Sequence, residues 1–514
     1  MKRIARCLSA AALVLPLAGI QAGAQQALPG EAVYKLKTEA FDNSQIKPLS
    51  LYMTDLMGSR LAASQQKLRS EQLMVAKLKE LGFSNVRVEK AVDFAKGGWD
   101  NEKTYVAMTK PYYCAFTANP LGWTAGTDGL VKGECVLVDA ENMAEYNEKF
   151  KGKLQGKIAL IPETQEYEVS YEPLAHRYTE EELQEIARDP RPGVEWVHPA
   201  SGRSSSVIVY ETYMFRRNLP SLLAQEGVVA IIRGSGSFNV PGASGASYKV
   251  GDPYPTTQMY LPIEDHGRMC RLARMGETVE MEMEIRNVFT DNQQINNVIA
   301  EIPGTDPKLK DEVVLIGAHL DSWHSGTGGA DNSSGCVVMM EAMRIIKALG
   351  VSPRRTIRIA LWGGEEQGLY GSRGYTANYL YDSEKHKKKN GYDKFALYLN
   401  MDNGSGRFRG VYLEHNDMAV PFWKAWMEPV ESLGFNYLTL RSTGSTDHVM
   451  FTRIGLPAYQ FIQDEIEYNR TYHTIMDTWE RLSLDDLTID AAITAIIALS
   501  AAQDDNHIPF LPID

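Results

Sequence analysis

The chain of 514 residues is longer than one ordinary domain of about 100–200 residues, so we expect two or three packed units. Its hydrophobic content of 44% and charged content of 23% are those of a folded globular protein and exclude a disordered or fibrous one. The formal net charge of −12 argues against nucleic acid as a partner, because phosphate binding requires clustered Lys and Arg.

Residues 1–24 have the pattern of a cleaved signal peptide. An apolar stretch over residues 8–20 follows a positively charged start, and the small residues 22–24 fit a cleavage site. The positive charges are Lys2, Arg3 and Arg6. Because the apolar stretch is shorter than the about 20 residues that a transmembrane helix needs, we expect export to the periplasm or the medium without a membrane anchor.

Residues 25–118 are predicted to be mainly helical. A periodic apolar pattern over residues 61–81 predicts a helix that ends at Gly82. One short strand is predicted after it, at residues 86–89.

Residues 119–286 have a different sequence pattern from residues 25–118, with short apolar runs between loops that are rich in Gly, Pro and charged residues. Strands are predicted at residues 156–161 and 228–232, with a short helix at 219–226 between them. Four cysteines follow the signal peptide, widely spaced and without a C-x-x-C pair, which excludes a thiolate zinc finger. They are Cys114, Cys135, Cys270 and Cys336, and the sequence leaves their three disulfide pairings open.

From residue 296 onward, predicted strands and helices alternate, which indicates an α/β fold with a parallel or mixed sheet covered by helices. The strands are short continuous apolar runs, as expected of strands that are buried on both faces. We place them at residues 313–318, 356–362, 395–400 and 458–462, and helices at 335–349, 367–380, 421–433 and 483–502.

Metal-ligating side chains follow these strands one after another. The first strand runs into His319 and Asp321, and a glycine-rich loop then delivers Asp331 to the start of a helix. The remaining candidates are Glu365, Glu366, Asp402 and His473. In α/β sheets ligands bind beyond the carboxyl ends of the strands, so we expect these side chains to meet there.

This donor set predicts a metal site. Each residue alone has a plainer explanation, since Asp331 could simply cap a helix, but their joint order at successive strand ends favours one site. Nitrogen and oxygen donors suit zinc, and five ligands exceed the three of a single catalytic zinc, so two bridged ions are expected. One acid of the Glu365-Glu366 pair is then left over as a general base. Asp321, two residues after His319, is predicted to orient its ring with the side-chain carboxylate.

The motifs "GAHLDSWHSGTGGADNSSG", "LWGGEEQGLYGSRGY", "LNMDNGSG" and "YNRTYHTIMDT" resemble the co-catalytic di-zinc exopeptidases. This family includes bacterial leucyl aminopeptidases, plasma glutamate carboxypeptidase and glutamate carboxypeptidase II, and the resemblance covers residues 58–64 and 296–502. It implies an aminopeptidase-type α/β/α sandwich, formed by residues 25–118 and 287–514. "GKIALIP" and "LLAQEGVVAIIRGSGS" resemble an inserted protease-associated domain, which residues 119–286 would form.

The resemblance also implies roles for the candidate residues. His319 and Asp402 would hold one Zn²⁺, Glu366 and His473 the other, and Asp331 would bridge them. Glu365 would be the general base and Asp321 the partner of His319, and both are our predicted catalytic residues. The implied substrates are peptides, cleaved at the amino end or as dipeptides.

Several alternatives stay open. A carboxypeptidase, a single-zinc glutaminyl cyclase and a non-catalytic binding module share this fold, and the choice between peptidases depends on whether an arginine pairs with the substrate carboxylate. The candidate arginines are Arg373, Arg441 and Arg470. The inserted segment is expected to restrict access to the site or to mediate a homodimer.

One position departs from the aminopeptidase pattern. The relatives have a tyrosine three residues before their Ser-Asp-His, and Thr443 stands there in this chain. Asp447 and His448 are predicted to form structural hydrogen bonds. His324 is left open between a place at the pocket mouth and an ordinary loop position.

Overall fold

The computed structural model describes residues 28–162, 171–188, 207–235 and 240–513. The predicted signal peptide and its cleavage site lie outside these ranges. Across the described part of the chain, no helix combines the length and the apolar character needed to cross a bilayer. The four cysteines lie within these ranges, and no disulfide joins them.

The described residues form two large sheets with helices around them. The strands, in chain order, are β1 (Ser84–Asp93), β2 (Gly98–Lys110), β3 (Cys114–Ala115), β4 (Asn119–Pro120), β5 (Val131–Leu137), β6 (Ile158–Ile161), β7 (Ala230–Gly234), β8 (Gln258–Leu261), β9 (Glu280–Thr290), β10 (Gln294–Ile302), β11 (Val313–His319), β12 (Thr356–Trp362), β13 (Tyr381–Asp382), β14 (Lys387–Lys388), β15 (Phe395–Asn400), β16 (Phe408–Tyr412), β17 (Tyr437–Thr439) and β18 (Ala458–Gln463). The helices are α1 (Gly30–Asp42), α2 (Ile46–Leu51), α3 (Gln65–Glu80), α4 (Met143–Lys149), α5 (Glu180–Ala187), α6 (Val207–Gln225), α7 (Ile263–Arg274), α8 (Ser334–Ala348), α9 (Tyr370–Tyr375), α10 (Val420–Met427), α11 (Val449–Thr452), α12 (Tyr468–Thr471) and α13 (Leu484–Gln503).

The first sheet carries the predicted site. Its strand order is β1-β10-β12-β11-β15-β18-β16-β17. The central strands β12, β11, β15 and β18 run parallel, whereas β1 and β10 pair antiparallel at one side. This mixed sheet confirms the predicted α/β class. Because the central strands are parallel, their carboxyl ends meet at one edge of the sheet.

Both faces of this sheet are buried, which explains the continuous apolar runs. Val314 and Ile316 of β11 face one hydrophobic cluster, which also includes residues of α8 and α13. Leu315, between them, faces a second cluster on the opposite side, with Tyr398 and Phe451. The side chains of a strand alternate between the two faces of its sheet, so one apolar run supplies both clusters.

The second sheet has the order β3-β2-β9-β5-β6-β7-β8-β4. It is also mixed, since β5, β6, β7 and β8 run parallel and β2 pairs antiparallel with β9. Its strands come from residues 98–290, a wider range than the predicted insertion at 119–286. The division into domains remains a prediction.

Two predictions of local structure are wrong. Residues 25–118 are not mainly helical, because β1 and β2 occupy much of the second half of this range. The helix predicted over residues 367–380 begins only at Tyr370. Gly368 and Leu369 adopt left-handed backbone angles, φ +126° and +57°, which end the turn after Glu366 before the helix can start.

Candidate metal centre

The parallel strands bring the predicted ligands to one edge of the first sheet. His319 is the last residue of β11, and Glu365 and Glu366 follow β12 in a tight turn. Asp402 follows β15, and Asp331 lies directly before α8. His473 comes from the loop after α12.

Each of the five predicted ligands contacts at least one other ligand. His319 Nε2 is 3.0 Å from Asp331 Oδ1 and 3.1 Å from Asp402 Oδ1. His473 Nε2 is 3.1 Å from Asp331 Oδ2 and 2.8 Å from Glu366 Oε2. The two oxygens of Asp331 therefore face one histidine each, so its carboxylate lies between two histidine–carboxylate pairs.

The donor atoms form two groups that could each hold a metal ion. The donors of His319, Glu365 and Asp402 lie within 4.8 Å of one another, and those of Asp331, Glu366 and His473 do the same. Glu366 Oε1 is buried and has no hydrogen-bond partner among the described residues. Buried polar atoms normally have a partner, so this oxygen is suited to bind a cation. Imidazole and carboxylate donors in this number fit zinc.

Burial and crowding shift the acidity of these groups. Burial raises the pKa of Glu366 to about 8, and the nearby Asp331 carboxylate adds repulsion. Burial also raises the pKa of Glu365 and of Asp402. Burial lowers the pKa of the His473 imidazole, but its hydrogen bonds to Asp331 and Glu366 outweigh this effect and raise it to about 11. A buried excess of carboxylates is an environment that favours bound cations.

Asp321 supports the site differently from the prediction. Its carboxylate accepts hydrogen bonds from the main-chain N–H groups of Glu365 at 3.1 Å and Glu366 at 3.3 Å. His319 Nδ1 lies 3.0 Å from the main-chain oxygen of Asp321 and 3.8 Å from its carboxylate, so Asp321 is the neighbour of this ring nitrogen, but the hydrogen bond is made by its main-chain oxygen. The carboxylate instead holds the turn that carries the two glutamates, because two N–H donors converge on it.

Arg60, which we did not single out from the sequence, lies beneath the glycine-rich loop. Its side chain is buried and donates hydrogen bonds to the main-chain oxygens of Leu320 at 2.6 Å, Thr327 at 2.7 Å and Gly328 at 3.1 Å. Ser333 Oγ accepts a further bond at 3.0 Å. The guanidinium thus satisfies carbonyls of a loop that has no regular structure of its own. Its position within residues 58–64, which the family resemblance covers, was the available signal.

Asp477 holds the same loop from the other side. Its carboxylate accepts hydrogen bonds from the N–H groups of Ala330 at 2.6 Å and Asp331 at 3.0 Å. Because Asp477 follows His473 by four residues, it connects the loop of one predicted ligand to the loop of another. The motif "HTIMDT" contains it, but spacing alone gave it no role.

Thr446, Asp447 and His448 are buried next to the site. Asp447 and His448 are fully buried, and His448 Nε2 lies 3.4 Å from Glu414 Oε1. Thr443, at the position where relatives have tyrosine, donates its main-chain N–H to Glu414 at 3.0 Å. Tyr468 is a further residue that the sequence analysis missed. Its phenol has a raised pKa because it is buried close to the carboxylates of the site.

His324 and the candidate arginines have partners away from the predicted ligands. His324 is half-buried, with Nε2 2.7 Å from the main-chain oxygen of Pro120. Arg470 pairs with Glu467 at 2.8 Å, Arg441 lies 3.8 Å from Glu185, and Arg373 lies over the ring of Tyr370.

Comparison with known proteins agrees with this geometry. Residues 297–498 match peptidase family M28. The chain is 26% identical to mouse carboxypeptidase Q over 474 residues, which cover 91% of this chain and 88% of the relative. It is 30% identical to aminopeptidase YwaD of Bacillus subtilis over 219 residues, which cover 41% of this chain and 46% of the relative.

Solved structures share the fold. The peptidase M28 precursor from Shewanella amazonensis SB2B superposes with a TM-score of 0.67 at 24% identity, covering 94% of this chain and 99% of that one. This likeness confirms the aminopeptidase-type α/β architecture that the motifs implied. The match of residues 297–498 to peptidase family M28 confirms the resemblance to the co-catalytic zinc exopeptidases, and the predicted enzyme class, a metallo-exopeptidase, is confirmed.

Proposed function

We propose that this chain is a two-zinc exopeptidase that removes single residues from the amino end of peptides or splits dipeptides. The observation that carries the proposal is the position of Asp331, whose two oxygens lie 3.0 Å from His319 and 3.1 Å from His473. A carboxylate between two such groups suits two ions about 3.5–4 Å apart. His319 and Asp402 would hold one ion, and Glu366 and His473 the other.

The chemistry assigns a separate task to Glu365. Bound zinc would supply a Lewis acid for the scissile carbonyl and lower the pKa of a water molecule at the site. Glu365 takes the proton of that water and returns it to the leaving amine. Its place beside His319 and Asp402 supports this role, as does burial, which raises its pKa well above the usual range of a carboxyl group and so makes it a stronger base.

Substitution of this base tests the mechanism. Glu365→Gln keeps the size of the side chain but removes its basicity, so we expect kcat to fall about 10²–10⁴-fold. Zinc content, measured by elemental analysis, should stay at the wild-type value. Glu80→Gln, at an exposed position on α3, is the matched control and should change neither quantity. An unchanged kcat in Glu365→Gln would contradict the assignment.

The amino-end polarity rests on the surroundings of the site. The three candidate arginines already have other partners, and the site itself is rich in carboxylates, which attract a substrate ammonium group. The competing candidate is a carboxypeptidase, which the similarity to carboxypeptidase Q over 91% of the chain favours. Peptides with a free, acetylated or amidated end separate the two. Cleavage that is unaffected by N-acetylation would exclude the aminopeptidase.

Two further parts of the proposal concern the rest of the chain. The sequence pattern of residues 1–24 supports export with a cleaved signal peptide, and the strand motifs of residues 119–286 support an inserted protease-associated domain.

Elemental analysis distinguishes the proposed enzyme from a glutaminyl cyclase. One tightly bound zinc without peptide hydrolysis would favour the cyclase.

A further inference from the structure

The loop that carries His473 is attached to the inserted part of the chain at two points. We call residues 464–474 the His473 loop and residues 171–188 the inserted arm. His176 of the arm and Ile466 of the loop exchange two main-chain hydrogen bonds, at 2.8 and 2.7 Å. On the other side, Ala243 donates its N–H to the main-chain oxygen of His473 at 2.7 Å.

Both attached residues of the loop have unfavourable backbone angles. Ile466 has φ +48° and His473 has φ +53°, in the left-handed region that residues with a Cβ avoid. For the β-branched Ile466 this conformation is especially costly. Such angles persist only where surrounding contacts enforce them, so the bonds to His176 and Ala243 help to fix the direction of the His473 side chain.

Arg177 joins the arm to the loop through ion pairs. Its guanidinium lies 3.0 Å from Asp464 and 2.6 Å from Asp486, whose side chains are only 1% and 2% exposed. Arg409 pairs with Asp464 at 3.2 Å and Arg407 with Asp486 at 3.3 Å. Arg177 is the residue of the inserted arm that takes part in this cluster of ion pairs around two buried carboxylates. Without it, two buried carboxylates lose part of their compensation, which is destabilising.

The two halves of the proposed zinc site depend on this attachment unequally. His319 ends the central strand β11 and Asp402 follows the central strand β15, and the His319 side chain is 1% exposed. His473 stands on a loop outside the sheet, and its side chain is 39% exposed. The attachment therefore acts on the half formed by Glu366 and His473.

We propose that the inserted arm sets the zinc affinity of the Glu366–His473 position, with Arg177 as a positioning residue. The inference rests on the proposed two-zinc function. Loss of Arg177 loosens the His473 loop and weakens one ion, while the ion at His319 and Asp402 stays in place. The inserted unit would thus be a structural part of the metal site.

Zinc titration of the full chain tests this inference. The metal-free protein is titrated against a chromogenic chelator, which resolves two dissociation constants. We assign the weaker constant to the more exposed Glu366–His473 position. In Arg177→Ala we expect it to rise about 10-fold, the low end of the cost of disturbing the surroundings of a metal ligand, because Arg177 acts through the loop and not on a ligand directly. The tighter constant should keep its wild-type value.

Two further variants make the result specific. Arg177→Lys keeps the charge but loses the forked donor geometry, so an intermediate constant is expected, and this variant also serves if Arg177→Ala does not fold. Arg188→Ala, in the same arm with an exposed partner in Glu185, is the matched control and should bind zinc as the wild type does. Equal weakening of both ions, or no weakening, would overturn the inference. A wild-type protein that binds one zinc would instead overturn the proposed function.

Discussion

Replacement of Arg60 by methionine tests the support of the glycine-rich loop. The variant keeps an apolar side chain of similar length but removes every donor. Two deeply buried acceptors, the main-chain oxygens of Leu320 and Gly328, then lose the guanidinium. At about 1–3 kcal/mol for each buried group left without its partner, the loss is about 2–6 kcal/mol.

One effect offsets part of this loss. Burial lowers the pKa of Arg60, which shows that the charge itself is costly in this place. We therefore expect the free energy of unfolding of Arg60→Met to fall by about 2–4 kcal/mol in urea titrations followed by circular dichroism. Zinc affinity should fall as well, because the loop positions Asp331 between the two histidines.

An exposed arginine on the neighbouring helix provides the control. Arg69 of α3 also donates to a main-chain oxygen, that of Leu56 at 3.0 Å, but on the surface. Arg69→Met should leave stability and zinc affinity unchanged, since exposed hydrogen bonds are readily replaced by water. Wild-type stability and wild-type zinc affinity in Arg60→Met would refute the proposed support of the loop.

Two other predictions concern metal removal and acid. Chelation of the metal should abolish hydrolysis and lower the thermal unfolding midpoint. Zinc at about 100 times its dissociation constant should restore about 2.7 kcal/mol of stability. Identical thermal unfolding with and without metal would contradict this prediction. Burial lowers the pKa of His266 from its ordinary 6.5 to about 4 in the folded protein, so acid favours the unfolded state, which takes up the proton first. The contribution of this imidazole to the free energy of unfolding is fully present above pH 6.5 and falls by about 3 kcal/mol toward pH 4. In His266→Gln this loss should be absent when unfolding titrations at pH 4.5 and 7 are compared. An equal pH dependence in that variant and the wild type would count against a buried neutral histidine.

The central strands could be predicted from the sequence because both of their faces are buried. The runs at residues 356–362 and 395–400 coincide with β12 and β15, and the run at 313–318 ends one residue before β11 does. β1 was predicted only over residues 86–89, and β2 was missed. Each contains several charged residues, and each pairs with a strand some 200 residues later in the chain, which no local pattern shows.

The site could be predicted as far as its residues follow strand ends. His319, Glu365, Glu366 and Asp402 stand at or shortly after strand ends, and the rule that parallel strands share an edge is enough to bring them together. Arg60 and Asp477 could not be derived in this way. They bind main-chain groups of the glycine-rich loop, and the positions of those groups depend on the tertiary structure.

The same limit applies to the atom of Asp321 that bonds to His319. Its spacing from His319 correctly indicated a partner for the imidazole. Which of its oxygens makes the contact depends on the turn after β12, whose N–H groups attract the carboxylate.

The most direct test of the account is a crystal structure of the zinc-loaded protein with anomalous data at the zinc edge. For a two-zinc centre we expect two anomalous peaks about 3.5–4 Å apart, one beside His319 and Asp402 and the other beside Glu366 and His473. Asp331 should contribute one oxygen to each. A single peak, or two peaks that do not share Asp331, would contradict the two-zinc centre.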